Sequence, residues 1–134
     1  ADRSQHVNEI IRPTLNKGDW VISDRFCGST LAYQGYGRKL DIELIKQLET
    51  IATQGISPDI TFLLDIPVEE SIKRRCNRKD DRIEKEGIEF LSNVSIGFQT
   101  LSEENKWKKI SAINSKEEII SEIQSGIKKL IINK

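Results

Sequence analysis

The chain has 134 residues, with 21 Lys and Arg side chains balanced by 21 Asp and Glu side chains. This length predicts one domain. Because the formal net charge is zero, there is no general attraction to nucleic acid or to an anionic membrane, so any polyanion site must be local. Apolar runs such as residues 60–64 are far shorter than the ~20 residues that span a bilayer. The two cysteines, Cys27 and Cys76, match neither a disulfide framework nor a zinc site, which favours a reducing cytoplasm.

Hydrophobic spacing and helix-capping residues predict helices that alternate with strands. In the first half of the chain we predict a helix ending near Gly18, a buried strand at 20–24, a helix capped by Asp41 and a buried strand at 60–65. In the second half we predict a helix opened by Pro67 and a helix carrying Phe90, Val94 and Leu101. A strand at 109–113 and a helix opened by a capping box at 115–118 follow. This alternation predicts an α/β fold with parallel strands and helices on both faces. Ligands of such sheets bind beyond the carboxyl ends of the strands, here near Asp24, Arg25, Asp65 and Asn114.

The densest polar pattern lies at residues 24–38, directly after the first predicted strand. Asp24 and Arg25 end that strand, and hydroxyls, an amide and several glycines follow. An arginine at this position can hold a phosphate through two parallel hydrogen bonds, and Asp24 can orient it or organise a metal-bound water. The alternative is that Asp24 and Arg25 form a structural ion pair and that the glycines only form turns.

A second pattern is a basic cluster within ten positions, made of Lys73, Arg74, Arg75, Arg78, Lys79 and Arg82. Arginines on a mobile segment can stabilise the charge that develops on a transferred phosphoryl group. The alternative is a solvated helix end with ion pairs between residues four apart. A nucleic-acid surface is a third interpretation, but the cluster lacks interleaved aromatic residues.

Four segments, taken in order, resemble the thymidylate kinase family, whose members phosphorylate dTMP with ATP. They are Ala-Asp-Arg-Ser-Gln-His at 1–6, the Asp-Arg-Phe and Ser-Thr-Leu-Ala-Tyr-Gln-Gly-Tyr-Gly-Arg runs within 24–38, Pro-Asp-Ile-Thr-Phe-Leu-Leu-Asp at 58–65, and Asp-Arg-Ile-Glu at 81–84. The resemblance implies a three-layer parallel sheet of the P-loop NTPase type, forming one partial domain over 1–134 with a lid at about 74–84. It also implies Mg²⁺ with ATP as cofactor, a cytoplasmic homodimer packed through the first helix, and no nucleic-acid or membrane partner.

The resemblance further implies a dTMP site. Arg3 matches the arginine that hydrogen-bonds the thymine base, and Arg25 matches the arginine that binds the dTMP phosphate, with Asp24 beside it near the Mg²⁺ ion. Contacts to the base and nucleotide are implied for Ser29, Thr30 and Gln34. Tyr33 and Tyr36 lie where an aromatic ring packs on the deoxyribose and disfavours a 2′-hydroxyl.

For the ATP side, Arg74, Arg78 and Arg82 match lid arginines that reach the phosphates. Asn114 and Ser115 fall near the loop that contacts adenine.

The sequence departs from the family in one respect, because it contains no Gly-x-x-x-x-Gly-Lys-Ser/Thr phosphate loop. In the family that loop follows a strand lying between those we predict at 20–24 and 60–65. We therefore expect the chain to be the C-terminal part of such a kinase, without its N-terminal strands and inactive by itself. The alternatives are a kinase for another nucleoside monophosphate or a deoxynucleoside, and a non-catalytic nucleotide-binding or dimerisation module.

Overall fold

The computed structural model describes residues 2–75 and 87–132. Helix α1 runs without a break through Asp2–His6, a π-helical turn at Val7–Ile11, and Arg12–Asn16, and helix α2 joins Cys27–Thr30 to a π-helical stretch at Leu31–Gly37. The elements that follow are α3 at Ile42–Thr53, β1 at Phe62–Asp65, α4 at Val68–Arg75, α5 at Gly87–Glu104, β2 at Lys108–Ser111 and α6 at Lys116–Ile132.

The predicted helix ends are confirmed where a side chain marks them. The Asp41 carboxylate accepts a hydrogen bond from the Leu44 N–H at 3.0 Å and so caps α3. At the start of α6, Ser115 and Glu118 form the predicted reciprocal capping box. Helix α1 ends just before Gly18, whose φ of +82° suits a residue without a Cβ.

Strands β1 and β2 pair in parallel, as the α/β pattern predicts. Phe62 lies opposite Lys108 and Asp65 lies opposite Ser111. The Ala112 N–H then donates to the Asp65 carbonyl at 2.7 Å, so both strands end at the same edge. In the described ranges the sheet has these two strands, which agrees with a mixed α/β fold containing a small parallel sheet.

The prediction of a buried strand at 20–24 is wrong for this structure. The segment has no strand conformation, and the exposed fractions of Trp20 and Ile22 are 62% and 92%. Extended backbone becomes a strand only when a neighbour takes up its N–H and C=O groups. The described parts of the chain place no strand beside this segment, so Trp20 and Ile22 stay in solvent.

The main core lies where α2 packs against α5, and it contains Ala32, Phe90, Val94 and Leu101. Glycines allow this close approach. A Cβ atom on Gly97 would lie 2.7 Å from the Tyr36 side chain. A Cβ atom on Gly37 would lie 2.6 Å from the Phe90 ring. The alternative that the glycines in 28–37 only form turns does not hold for Gly37, which allows close helix packing.

The predictions for Cys76, Arg78, Arg82 and most of the lid at about 74–84 lie outside the described residues. Arg74 is described and is treated below. None of the helices given above combines the length and the apolarity that a bilayer crossing requires.

Candidate active site

Arg25 is held in an unusual backbone conformation by its neighbours. Its φ is +69°, in the left-handed region that costs a non-glycine residue about 1 kcal/mol or more. Its carbonyl accepts a hydrogen bond from the Ser23 hydroxyl at 3.0 Å, and its Nε donates to the Ser29 Oγ at 3.1 Å. The guanidinium carbon lies 4.8 Å from the centre of the Tyr33 ring, a cation–π contact. These contacts fix the direction of an exposed cation.

Arg3 is oriented in a similar way at the start of α1. One terminal nitrogen forms an ion pair with the Glu49 carboxylate, and the other donates to the Thr30 Oγ1 at 3.0 Å. The guanidinium carbon lies 5.5 Å from the centre of the Phe26 ring. Since Ser29 receives Arg25 and Thr30 receives Arg3, two consecutive hydroxyls on α2 hold the two arginines.

Tyr33 connects Arg25 to the core. Its ring centre lies 6.1 Å from that of Phe90 and 6.1 Å from that of Phe98, with the second pair edge to face. Both phenylalanines belong to α5. Edge-to-face and tilted ring pairs add stability beyond area burial. The face that carries Arg25 is therefore backed by the packed helices α2 and α5.

The other residues predicted for the dTMP site are placed less closely together. The Gln34 amide oxygen accepts a hydrogen bond from the Arg38 side chain at 3.0 Å, which is a local contact within α2 and its end. Tyr36 packs against Gly97 of α5. Asp24 is exposed beside Arg25. The structure thus brings Arg3, Arg25, Ser29, Thr30 and Tyr33 together, and we refer to these five residues as the acceptor side.

Arg74 of α4 reaches the end of β2. Its Nε donates to the Glu70 carboxylate at 3.2 Å, and one terminal nitrogen donates to the Ala112 carbonyl at 3.1 Å. This places Arg74 next to the loop that carries Asn114 and Ser115, so two sets of residues predicted separately lie together. We refer to Arg74, Asn114 and Ser115 as the donor side.

Asn114 and Ser115 make contacts within the start of α6. The Asn114 amide nitrogen lies 3.5 Å from a Glu122 carboxylate oxygen. The Ser115 hydroxyl donates to the Glu118 carboxylate at 2.9 Å and accepts from the Glu118 N–H at 3.3 Å. These hydrogen bonds lower the pKa of Glu118, with the bond from the Ser115 backbone N–H as the main cause. Both residues are exposed, and their described contacts are structural.

Sequence reasoning assigned no role to Glu49 or Phe26, although both contact Arg3. Phe26 directly follows Arg25 in the run 24–38, and nothing in that pattern indicates a contact with Arg3. Glu49 follows Ile45 by four positions and precedes Ala52 by three, so it lies on the inner face of α3. A carboxylate on a buried helix face signals a partner, although it does not identify which one.

Cys27 lies beside the Arg3–Glu49 ion pair, and it is not a reactive thiol. Burial raises the pKa of the Cys27 thiol to about 12, and its hydrogen bond to the Glu49 carboxylate acts in the same direction. A thiol is nucleophilic only as the thiolate, so Cys27 stays inert at neutral pH. Cys27 is a free, partly buried cysteine.

Asp24 is the carboxylate predicted for the metal. Across residues 2–75 and 87–132, no group of three or more His, Cys, Asp or Glu side chains lies close enough together to hold a metal ion. Mg²⁺ commonly binds through one or two carboxylates, waters and nucleotide phosphates. A single exposed carboxylate, that of Asp24 beside Arg25, fits that manner of binding.

Comparison with known proteins identifies the family of the chain. The family model described as "Thymidylate kinase" matches residues 1–123. The chain is 84% identical over 134 residues to a thymidylate kinase of Prochlorococcus marinus strain NATL2A, covering 100% of this chain and 64% of that protein. For the thymidylate kinase of strain NATL1A the identity is 85%, with the same coverage. The thymidylate kinase of strain MIT 9313 is 56% identical over 128 residues, which are 96% of this chain and 59% of that protein. The chain therefore spans less than two thirds of these relatives, and it belongs to the thymidylate kinase family.

Proposed function

We propose that the complete protein transfers the γ-phosphoryl group of ATP to dTMP, giving dTDP and ADP. Family membership supports this activity, and one observation on the acceptor side carries it. Two arginines, Arg3 and Arg25, are each fixed by an aromatic ring and by one of two consecutive hydroxyls. An acceptor nucleotide needs two such anchors, one for its base and one for its phosphate.

Arg25 holds the dTMP phosphate in this proposal. Its described side-chain hydrogen bond uses Nε, while the forked end of a guanidinium is the part that binds a phosphate through two parallel bonds. The left-handed backbone at Arg25 supports a functional role, because such conformations persist where surrounding contacts enforce them. Arg3 contacts the thymine base, Ser29, Thr30 and Gln34 line the nucleotide, and Tyr33 or Tyr36 packs on the deoxyribose.

On the donor side, Arg74, Arg78 and Arg82 stabilise the ATP phosphates, and Asn114 and Ser115 border the adenine. The position of Arg74 beside the Ala112 carbonyl supports its place in this group. Two anionic nucleotides repel each other, so cations on both sides are required to bring them into line. Phosphoryl transfer spreads negative charge over the moving group, and arginines stabilise that charge without forming covalent bonds to it.

Asp24 is the residue that would hold Mg²⁺ together with the ATP phosphates. When bound, the ion supplies positive charge at the phosphoryl oxygens. Asp24 supplies a carboxylate adjacent in sequence to Arg25, so a bound metal ion would lie near the residue proposed to hold the acceptor phosphate.

We also propose that the complete domain is a three-layer P-loop NTPase fold in which a further strand lies between segment 20–24 and β1. The exposed Trp20 and Ile22 and the half-exposed Leu64 of β1 support a missing neighbour on this side. The uncovered third of the relatives has enough length to contain it. Burial of Trp20 in the protein expressed from its complete coding sequence, measured by fluorescence against a Trp20→Phe variant, tests this arrangement.

A homodimer packed through α1 is part of the proposal. Ile10 and Leu15 are exposed apolar side chains on that helix, which supports a contact there. Light scattering on the complete protein gives the mass, and an Ile10→Lys variant is expected to lower it to that of a monomer.

The experiment that tests the function is a coupled assay of ADP release with the complete protein, ATP and Mg²⁺. We expect dTMP to be the best acceptor when it is compared with dUMP, the other deoxynucleoside monophosphates and thymidine. A higher kcat/KM for another acceptor would identify a different kinase. Binding of dTMP without turnover would identify a non-catalytic module. Residues 1–134 alone are expected to show no turnover.

A further inference from the structure

We propose that Glu49 is a positioning residue that sets the orientation of the Arg3 guanidinium and so the affinity for the acceptor base. The inference rests on the proposed function, in which Arg3 contacts the base. It adds a residue 46 positions away in the chain, on a helix that carries none of the residues assigned to the nucleotide.

The geometry that carries this inference is the set of contacts made by Arg3. Three elements meet at its guanidinium: Glu49 from α3, Thr30 from α2, and Phe26 from the segment before α2. The hydroxyl and the ring are neutral, so Glu49 makes the one ion pair described for Arg3. A charge-assisted bond from arginine to carboxylate is about twice as strong as a neutral hydrogen bond. Glu49 is therefore the dominant constraint on the direction of Arg3.

Burial strengthens the constraint. The Glu49 side chain is 14% exposed, although it belongs to a helix whose neighbouring Leu48 and Thr50 are exposed. A carboxylate in this position needs partners, because an unpaired buried charge is strongly destabilising. Glu49 has such a partner in the Arg3 guanidinium. With its carboxylate paired in this way, Glu49 fixes one end of Arg3 and leaves the remaining N–H groups to meet a ligand.

We expect the loss of Glu49 to affect binding of the base more than binding of the phosphate. Arg25 is held by Ser23, Ser29 and Tyr33, and the described contacts of Arg25 do not include Glu49. Removing the Glu49 carboxylate should therefore weaken binding of a ligand that carries a base. A ligand that carries the sugar and phosphate without the base should be unaffected.

The test measures dissociation constants by calorimetry on the protein expressed from its complete coding sequence. The probes are dTMP and deoxyribose 5-phosphate, and the variants are Glu49→Ala, Glu49→Gln and Arg3→Ala. We expect Glu49→Ala to raise the Kd for dTMP about tenfold, on the scale of one charge-assisted hydrogen bond. The Kd for deoxyribose 5-phosphate should change less than about twofold. Glu49→Gln keeps an acceptor for Arg3, so its Kd for dTMP should lie between those of Glu49→Ala and the parent protein.

Glu43→Gln is the matched control. Glu43 lies on the same helix and forms an ion pair with Lys46, but it is exposed and makes no described contact with Arg3. Glu43→Gln should leave the Kd for dTMP and the Kd for deoxyribose 5-phosphate within about twofold of the parent values, as expected for a surface ion pair. In the Arg3→Ala background, adding Glu49→Ala should produce no further rise in the Kd for dTMP.

The outcomes separate this inference from the proposed function. If Arg3→Ala leaves dTMP binding unchanged, the base-binding role of Arg3 in the proposed function is wrong. If Arg3→Ala weakens dTMP binding but Glu49→Ala does not, Glu49 has no positioning role. Equal losses for dTMP and deoxyribose 5-phosphate would also overturn the inference, because they would show that Glu49 only stabilises the fold. Melting temperatures of all variants, measured in parallel, identify any variant that fails to fold. If Glu49→Ala does not fold, the Kd of Glu49→Gln for dTMP decides whether Glu49 has the positioning role.

Discussion

The acceptor side and the donor side hold their arginines by different means. On the acceptor side, Arg3 and Arg25 rest on aromatic rings and on side chains from other elements, over a core formed by α2 and α5. On the donor side, Arg74 bonds to Glu70 of its own helix and to the Ala112 carbonyl. Under the proposed function, the acceptor side is organised in advance of binding, whereas a donor nucleotide would compete with the contacts that Arg74 makes.

The largest effect is expected on the acceptor side. Arg25→Ala should lower kcat/KM for dTMP about 100-fold, because charge-assisted hydrogen bonds to the phosphate are lost. The kcat/KM of Arg25→Lys should lie between those of Arg25→Ala and the parent protein, since an ammonium keeps the charge but not the paired hydrogen-bond geometry. The coupled assay measures both. Lys46→Ala, which removes an exposed cation paired with Glu43, is the control and should retain full activity. Activity of Arg25→Ala close to that of the parent would exclude Arg25 from the site.

A second prediction concerns the helix pair that supports the acceptor side. Gly97→Ala places a methyl group 2.7 Å from the Tyr36 side chain, and the two helices must separate to admit it. We expect a loss of about 2 kcal/mol in the free energy of unfolding, measured by urea titration. Ser95→Ala, on the same helix, should change it by less than about 0.5 kcal/mol. An unchanged midpoint for Gly97→Ala would show that α2 and α5 are not tightly packed.

Features that depend on residues close together in the chain can be predicted from the sequence. The caps at Asp41 and Ser115 are local, since each depends on residues three positions apart, and both were predicted correctly. The order of helices and the parallel orientation of the strands follow from the alternating hydrophobic pattern and were also predicted, but which strands pair was not. Segment 20–24 has the same apolar pattern as β1, but a strand needs a neighbour, and no local pattern reports whether one is present.

The contacts of the candidate site show the same limit. The runs that resemble the family contain Arg3, Arg25, Ser29, Thr30 and Tyr33, and the structure places these side chains together. The sequence did not predict that Glu49 pairs with Arg3, because a contact between positions 46 apart depends on how α1 packs against α3. Nor did it predict that Gly37 and Gly97 serve helix packing, since a glycine in sequence is equally consistent with a turn.

A third prediction tests the donor side. Arg74→Ala should raise the KM for ATP about tenfold and leave the Kd for dTMP within about twofold, because Arg74 lies at the end of β2 and is not among the acceptor-side residues. Steady-state kinetics with varied ATP measures the first quantity and calorimetry the second. Lys109→Ala removes a nearby exposed cation that pairs with Glu103, and it should change neither. A matching loss of dTMP affinity would mean that the two sides are not separate.

The smallest effect is expected at Ser115, which is assigned to the adenine loop but whose described contacts form the cap of α6. Ser115→Ala should lower the free energy of unfolding by about 1 kcal/mol, whereas Ser125→Ala, at an exposed position of the same helix, should not. If the KM for ATP changes by less than about twofold in Ser115→Ala, the cap is the main role of this hydroxyl. A larger rise with unchanged stability would place Ser115 on the nucleotide instead.

The pH dependence of stability provides an independent measurement of this cap. Hydrogen bonds from Ser115 lower the pKa of Glu118 below its ordinary value of 4.5, so the folded state binds this proton less tightly than the unfolded state. The contribution of the pair is therefore present above pH 4.5 and is lost as the pH falls through the lowered pKa. Glu118→Gln removes the titration but keeps an acceptor for the Ser115 N–H, so its stability should depend less on pH in this range. If Glu118→Gln and the parent lose stability in parallel on acidification, the acid sensitivity comes from other carboxylates, and the cap at Ser115 is weaker than its geometry indicates.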